Sequence, residues 1–402
     1  MNQILSRLKL KNLAEISVSP VVLMVMIWAW QFSAHVFFET GLNKPSILVW
    51  AIVFVGIVAF VFGAILAYVS LPRKTVFQST YSSWIAAGPF LIKISLPLAV
   101  FSAGALILRI DDQGFGLFLN IKVALLEESV SGNKSNLYFA YAIIFNALCV
   151  LYYCNTINFM AHKRTLWIVA LTAILCLFSG SRGLLIMFLI AMFPAYIFHG
   201  KDQGPKILTL PIFMVALTLA FFFLYPIFFQ SYEFGSDGSE SLLDYMYTYL
   251  FSGISAFSYF VDNGTPSYDC ILLIPRVITF IIDFIFSTNF YGQCPALFAE
   301  VDGPLTANVY SIFFQPMHDF GLLGVVFYLF TIGYVSMLAY LRGFFYGSVS
   351  WRFMYGIFFY SIFMSFFEDQ FARGFIYYFF AMSVLSFVWI INVLDRRCQS
   401  HN

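Results

Sequence analysis

The 402-residue sequence predicts an all-α polytopic integral membrane protein of about ten transmembrane helices, and three observations predict it. Mean hydropathy is +0.85, and 61% of residues are hydrophobic, where a soluble domain is roughly half apolar. Only 10% are charged. The apolar residues fall in runs of about 20, the length a helix needs to cross the hydrocarbon core. In lipid a helix also satisfies its backbone polar groups internally.

The spans read, in order, as residues 21–38, 46–71, 83–108, 137–161, 165–180, 183–199, 207–229, 321–341, 353–367 and 374–394. The first follows a basic N-terminus (Arg7, Lys9, Lys11) with no small-residue cleavage site behind it, so it is expected to stay as a span. Trp28, Trp30, Gln31 and His35 make it less uniformly apolar than the later ones. Arg73-Lys74 separates the second span from the third, and His162-Lys163-Arg164 separates the fourth from the fifth. Ser179-Gly180-Ser181-Arg182-Gly183 turns the fifth into the sixth, and Lys201 to Lys206 leads into the seventh. Arg342 to Arg352 divides the eighth from the ninth, a hairpin at 368–373 the ninth from the tenth, and Arg396-Arg397 lies in the tail.

Placing the N-terminus inside puts about 13 of the 21 Lys and Arg residues in cytoplasmic connections, and lysine and arginine bias sets orientation. Both termini are then cytoplasmic. About 17 of the 20 acids fall outside, which agrees with that orientation without determining it. Two outer segments are long. Residues 109–136 hold Arg109-Ile-Asp111-Asp112 and end in a Ser/Gly/Asn-rich turn. Residues 230–320 open on a turn-rich acidic piece, followed by an amphipathic helix with Leu242, Met246, Tyr249 and Leu250 at helical spacing. The apolar run 270–287, broken by Pro275-Arg276, reads as re-entrant or interfacial, because crossing would invert every later loop.

Composition also excludes function classes. No basic domain exists to hold nucleic acid. Each cytoplasmic connection is short, whereas a nucleotide-binding domain needs on the order of 100 residues. Neither a Walker A sequence nor G-x-G-x-x-G before a helix occurs. Chemistry, where present, belongs to outer loops and span ends, with no cofactor.

Four arginines remain on the outer face in this topology: Arg109, Arg182, Arg276 and Arg373. A guanidinium beside a bilayer is costly unless it has a partner, and guanidinium matches phosphate oxygens in geometry. The set therefore predicts a receptor for a phosphate-bearing, lipid-linked substrate. Arg182 sits one residue before a helix, where free N–H groups and the positive helix end already favour an anion. The plainer alternative is an arginine snorkelling to headgroups.

The stretch Asn308-Val-Tyr310-Ser-Ile-Phe-Phe-Gln315-Pro316-Met-His318-Asp319-Phe-Gly321-Leu-Leu-Gly324 leads into the eighth span. His318 is the only histidine placed in an outer loop, and either it or Asp319 could take a proton from a hydroxyl. Capping by Asp319 is the structural alternative. Phe366-Phe367-Glu368-Asp369-Gln370-Phe371-Ala372-Arg373-Gly374 closes the last outer hairpin, where the acids are bases, partners of Arg373, or a plain surface pair. Cys270 and Cys294, both outside, could form a disulfide in an oxidising compartment. No Cys/His spacing resembles a zinc site, and no metal is expected.

These motifs together resemble the O-antigen polymerase (Wzy) family of bacterial inner membranes. The resemblance rests on the span layout, the Ser-Gly-Ser-Arg-Gly hairpin, the late outer loop and the Asn-x-Tyr…Pro…Asp-Phe-Gly-x-x-Gly stretch after it. It implies a GT-C-like, metal-independent glycosyltransferase with a large periplasmic loop. Such an enzyme moves a growing glycan from undecaprenyl diphosphate onto a lipid-linked repeat unit, and a chain-length regulator of the polysaccharide co-polymerase type accompanies it. Arg182, Arg276, Arg373 and Arg109 would then bind the diphosphate. His318, Glu368 and Asp319, in that order, are the candidates for the base. Asn308, Tyr310 and Gln315 would hold the glycan or position the loop. An O-antigen ligase shares the layout, and the outer histidine favours it mildly. A flippase, the alternative from another class, should carry charges within its spans, where only Lys93 sits.

Overall fold

The computed structural model describes residues 18–37, 42–71, 81–109, 120–121, 124–125, 135–179, 182–199, 242–263, 271–273, 286, 299–302, 305–307 and 310–400. These form helices α1 (Pro20–Phe37), α2 (Ile47–Ser70), α3 (Tyr81–Arg109), α4 (Ser135–Thr156), α5 (Lys163–Leu177) and α6 (Arg182–His199). They are followed by α7 (Leu242–Asn263), a hairpin of β1 (Ala299–Asp302) and β2 (Leu305–Ala307), then α8 (Phe314–Phe344), α9 (Val349–Phe363) and α10 (Phe375–Ser400). The hairpin is antiparallel, with Ala299 opposite Ala307 and Asp302 opposite Leu305.

Among the described residues six helices are long and apolar enough to cross a membrane: α1, α2, α3, α4, α8 and α10. The chain is thus helical, with the spans of a multi-pass membrane protein. Three of the remaining expected spans are shorter. Residues 183–199 form an apolar helix of sub-spanning length, while α5 and α9 have 15 residues each. Fifteen residues reach only about 22 Å, against a hydrocarbon core of about 30 Å. A 3-10 turn, Met364–Phe366, extends α9 by one turn. The expected span 207–229 lies outside the described residues, as does most of 109–136 and of 270–287.

The chain divides into two compact units. The first comprises 1–74, 240–341 and 358–376. Its helices meet through small residues. On α2 the buried positions Val49, Ile52, Val53, Gly56, Ala59, Phe60, Gly63, Ala64 and Ala67 repeat at helical spacing. A Cβ on Gly63 would overlap the carbonyl oxygen of Phe330, and one on Gly333 would overlap that of Phe60. The backbones of α2 and α8 are therefore in direct contact. Hydrocarbon tails are as apolar as leucine, so close packing rather than water exclusion joins such helices.

Polar contacts fix the rest of this unit. Ser46 caps α2, its hydroxyl accepting from the Val49 N–H and donating to Asp262 Oδ1 at 2.9 Å. The Ser46 N–H donates to Ser258 Oγ at 3.2 Å, which ties the start of α2 to the end of α7, and Ser258 in turn donates to Asp262 Oδ2 at 2.8 Å. Residues 251–258 of α7 are all buried, so the amphipathic helix expected on the surface runs on into the core. On α1 the buried face is the polar one: Trp28 Nε1 donates to Ser365 Oγ at 3.1 Å, and Gln31 Nε2 to the Leu250 carbonyl at 2.9 Å.

The second unit comprises 75–239, 342–357 and 377–402. Here α3 packs along α4, and Gly88 meets the ring of Tyr153. A buried hydrogen-bond chain runs from Ser95 to Asn146 (3.0 Å) and on to Thr172 (3.3 Å). Residues 184–192 of α6 are all buried, as expected of a helix apolar all round. Arg352, expected in a cytoplasmic connection, is instead wholly buried at the start of α9. Its guanidinium donates to the carbonyls of Asn155 and Gly347, both at 3.3 Å, and lies 3.3 Å from the Phe198 ring centroid.

Candidate functional site

Two sequence motifs that lie about fifty residues apart meet in the first unit. The Ser311 N–H donates to the Gly253 carbonyl at 3.1 Å, and the Ile312 N–H to the Ser365 carbonyl at 2.9 Å. This seam places the stretch before α8 beside the turn that opens the last hairpin. Gly253 permits it, since a Cβ there would overlap the carbonyl oxygen of Phe366. Phe313 completes the joint, edge-on to Trp28 at 4.7 Å.

On the α8 side, His318 and Asp319 form a pair, Nδ1 to Oδ1 at 2.7 Å, with side chains 6% and 1% exposed. The histidine ring lies 5.9 Å from both Phe260 and Phe314. Asp319 also accepts the N–H groups of Leu272 (3.0 Å) and Leu273 (2.6 Å), so its carboxylate clamps a piece of the large loop. It fixes the imidazole too, through Nδ1. Tyr310 is buried and stacked on Phe314 at 3.9 Å. Gln315 is buried, with no hydrogen-bond partner at Oε1. Gly321, at φ +63°, then breaks the helix before the long apolar stretch begins.

The last hairpin is wound around Asp369. Its Oδ1 accepts from the N–H groups of Phe371 (3.0 Å) and Ala372 (3.3 Å), an Asx-type turn that positions the following residues. Its Oδ2 accepts from the Tyr328 hydroxyl of α8 at 2.6 Å. Burial raises the Asp369 carboxyl from 3.8 to about 6; the three hydrogen bonds oppose this and neighbouring Glu368 adds to it. Glu368 pairs with Arg373 and accepts from Gln370 Nε2 at 2.8 Å. Arg373 keeps 38% of its side chain exposed.

The predicted residues therefore separate into groups. Tyr310, Gln315, His318, Asp319, Glu368 and Arg373 share one unit and one backbone seam. Arg109, the last residue of α3, and Arg182, the first of α6, belong to the second unit. Arg109 is exposed, 5.0 Å from the Phe139 ring centroid. The side chain of Arg182 lies outside the described residues, as do Arg276, Asn308, Cys270 and Cys294. Among the described residues no three His, Cys, Asp or Glu side chains gather as a metal site. Sequence reasoning ranked Glu368 above Asp369 and passed over Tyr328. Adjacent acids look alike in a sequence, and only the turn decides which one is buried.

The chain matches no family model, no curated protein and no solved structure.

Proposed function

We propose that this protein is an O-antigen polymerase of the bacterial inner membrane. It is a GT-C-like multi-pass enzyme with cytoplasmic termini, acting at its periplasmic face. A hydroxyl of the lipid-linked repeat unit attacks the anomeric carbon of the growing glycan. The C–O bond to diphosphate breaks, undecaprenyl diphosphate leaves, and the hydroxyl proton passes to a base. The observation that carries this reading is that the backbone seam at Ser311 and Ile312 holds the stretch bearing His318–Asp319 and the turn before the Glu368–Arg373 hairpin in one unit, which so contains both a proton acceptor and an exposed cation.

Arg373 would stabilise the charge developing on the leaving diphosphate, which fixed cations do well where water is excluded. Arg276, in the large outer loop, would add to that charge. His318 remains the first candidate for the base, because both oxygens of Asp319 and the carboxylate of Glu368 are already engaged. Tyr310 and Gln315 would line the acceptor side, with Gln315 Oε1 free to accept from a sugar hydroxyl. A polysaccharide co-polymerase would set chain length.

The test is gene deletion followed by gel analysis of the lipopolysaccharide. Core bearing a single repeat unit, with the ladder restored by wild type and not by Arg373→Ala, supports the polymerase. Bare core without any repeat overturns it in favour of a ligase or a flippase, the ligase being the reading that a buried outer histidine also suits.

A further inference from the structure

The face of α1 that turns into the first unit carries two buried acceptors. Gln31 and His35 are 0% and 3% exposed and lie one turn apart on one side of the helix. Among the described residues, Gln31 Oε1 and His35 Nε2 have no hydrogen-bond partner. Both roles are forced. Gln31 Nε2 donates to the Leu250 carbonyl at 2.9 Å, so the other amide atom is the oxygen. His35 Nδ1 lies 3.0 Å from the Gln31 carbonyl, which can only accept, so Nδ1 carries the proton. A charged imidazolium buried without a counter-charge is costly. The ring is therefore neutral, and Nε2 presents a lone pair.

The surroundings define what can meet these two atoms. The His35 ring sits over the residue that bears Oε1, because its Nδ1 bonds that residue's own carbonyl. Phe251 of α7 walls it at 5.5 Å and Trp50 of α2 at 6.0 Å, both edge-on. Consecutive residues of α7, Leu250 and Phe251, thus touch the two side chains. An occupant must donate twice, which rules out an anion. Among the described residues no carboxylate contacts Gln31 or His35, so a cation would sit uncompensated between aromatic rings. A compact, neutral donor remains.

We propose that Gln31 Oε1 and His35 Nε2 bind an internal water molecule, which donates one hydrogen bond to each and fastens α1 beside α7. Buried waters usually hold about two to four polar partners, and such a bridge is nearly as favourable as a direct hydrogen bond. The site lies two residues along α7 from Gly253, whose carbonyl takes part in the backbone seam. It goes beyond the transfer reaction and does not depend on it.

The test uses the full-length protein in lipid nanodiscs under X-ray hydroxyl-radical labelling, which oxidises side chains beside bound water even where bulk solvent does not reach. Phe251 and Phe257, on the same helix, are 5% and 0% exposed. Phe251 should be oxidised and Phe257 should not. His35→Phe keeps a ring and removes Nε2; Gln31→Met keeps the chain length and removes Oε1. In each variant Phe251 oxidation should fall to the Phe257 level. Nitrogen-15 NMR of the wild type, which needs no variant to fold, should show His35 neutral with its proton on Nδ1. Phe251 oxidised no faster than Phe257, oxidation undiminished in either variant, or a proton on His35 Nε2 overturns the proposal.

Discussion

Replacing Asp369 with Asn should make the protein more stable at neutral pH, and the reason is the buried carboxyl. In the folded chain its pKa is about 6, against 3.8 for the ordinary side chain, with burial the largest cause. A folded value above the unfolded one means that the native state holds the proton more tightly. Its contribution to stability is full below about pH 4 and is lost as pH rises through about 6. At about 1.4 kcal/mol per pH unit, the loss amounts to roughly 3 kcal/mol. Asn keeps the shape, can accept from the Phe371 and Ala372 N–H groups, and never ionises. The Asp369→Asn protein should therefore exceed wild type by up to about 3 kcal/mol at pH 7, with the advantage shrinking toward pH 4. Thermal unfolding of both proteins across that range gives the difference and cancels every other titrating group. Tyr328→Phe removes a hydrogen bond that lowers this pKa, so the wild-type transition should move to higher pH. A difference between the Asp and Asn proteins that stays flat with pH, or grows toward acid, refutes the argument.

Gly63→Val or Gly333→Val forces a side chain into the facing backbone and should cost about 1–3 kcal/mol or more; Gly104→Ala, with open space around it, should be neutral in the same melting assay. Arg373→Ala should abolish the polysaccharide ladder while leaving the melting temperature nearly unchanged, because so exposed an ion pair adds about 1 kcal/mol at most. A full ladder from that variant would remove Arg373 from the site. Asp319→Ala releases the N–H groups of Leu272 and Leu273, so hydrogen exchange across 271–273 should accelerate in the mutant. Arg352→Ala empties a buried position that joins α4, α6 and the turn at Gly347. It should lower stability by about 2–5 kcal/mol, read as a loss of folded protein in mild detergent.

The candidate site was legible in part. The clustering of His318-Asp319 and of Glu368 to Arg373 at the ends of apolar runs marked both motifs, because a charge near a bilayer is costly and stands out against its neighbours. The seam that holds their two stretches in one unit was not legible. It depends on the Ser311 and Ile312 N–H groups finding the Gly253 and Ser365 carbonyls, and backbone groups carry no sequence signature. Gly253 was the one available signal: a glycine inside a helix costs about 1 kcal/mol, which asks for a packing reason. Asp319 holds the histidine and accepts from the loop N–H groups of Leu272 and Leu273, in place of the helix cap expected of it.

Hydropathy alone determined that this chain is helical and crosses the membrane repeatedly, because hydrocarbon leaves a backbone few other ways to satisfy its polar groups. It also fixed the order of the helices and the places where charged loops interrupt them. The short lengths expected of 165–180 and 353–367 recur in α5 and α9, but hydropathy alone did not tell that such helices are too short to span, since burial in protein looks the same as burial in lipid to a hydropathy sum. Tertiary structure alone decided which polar residues turn inward. Arg352 reads as a loop cation and lies wholly buried, while Gln31 and His35 read as blemishes on a span and face its core. Those outcomes depend on which helices meet, and contacts between residues hundreds of positions apart, such as Trp28 with Ser365, exist only once the chain has folded.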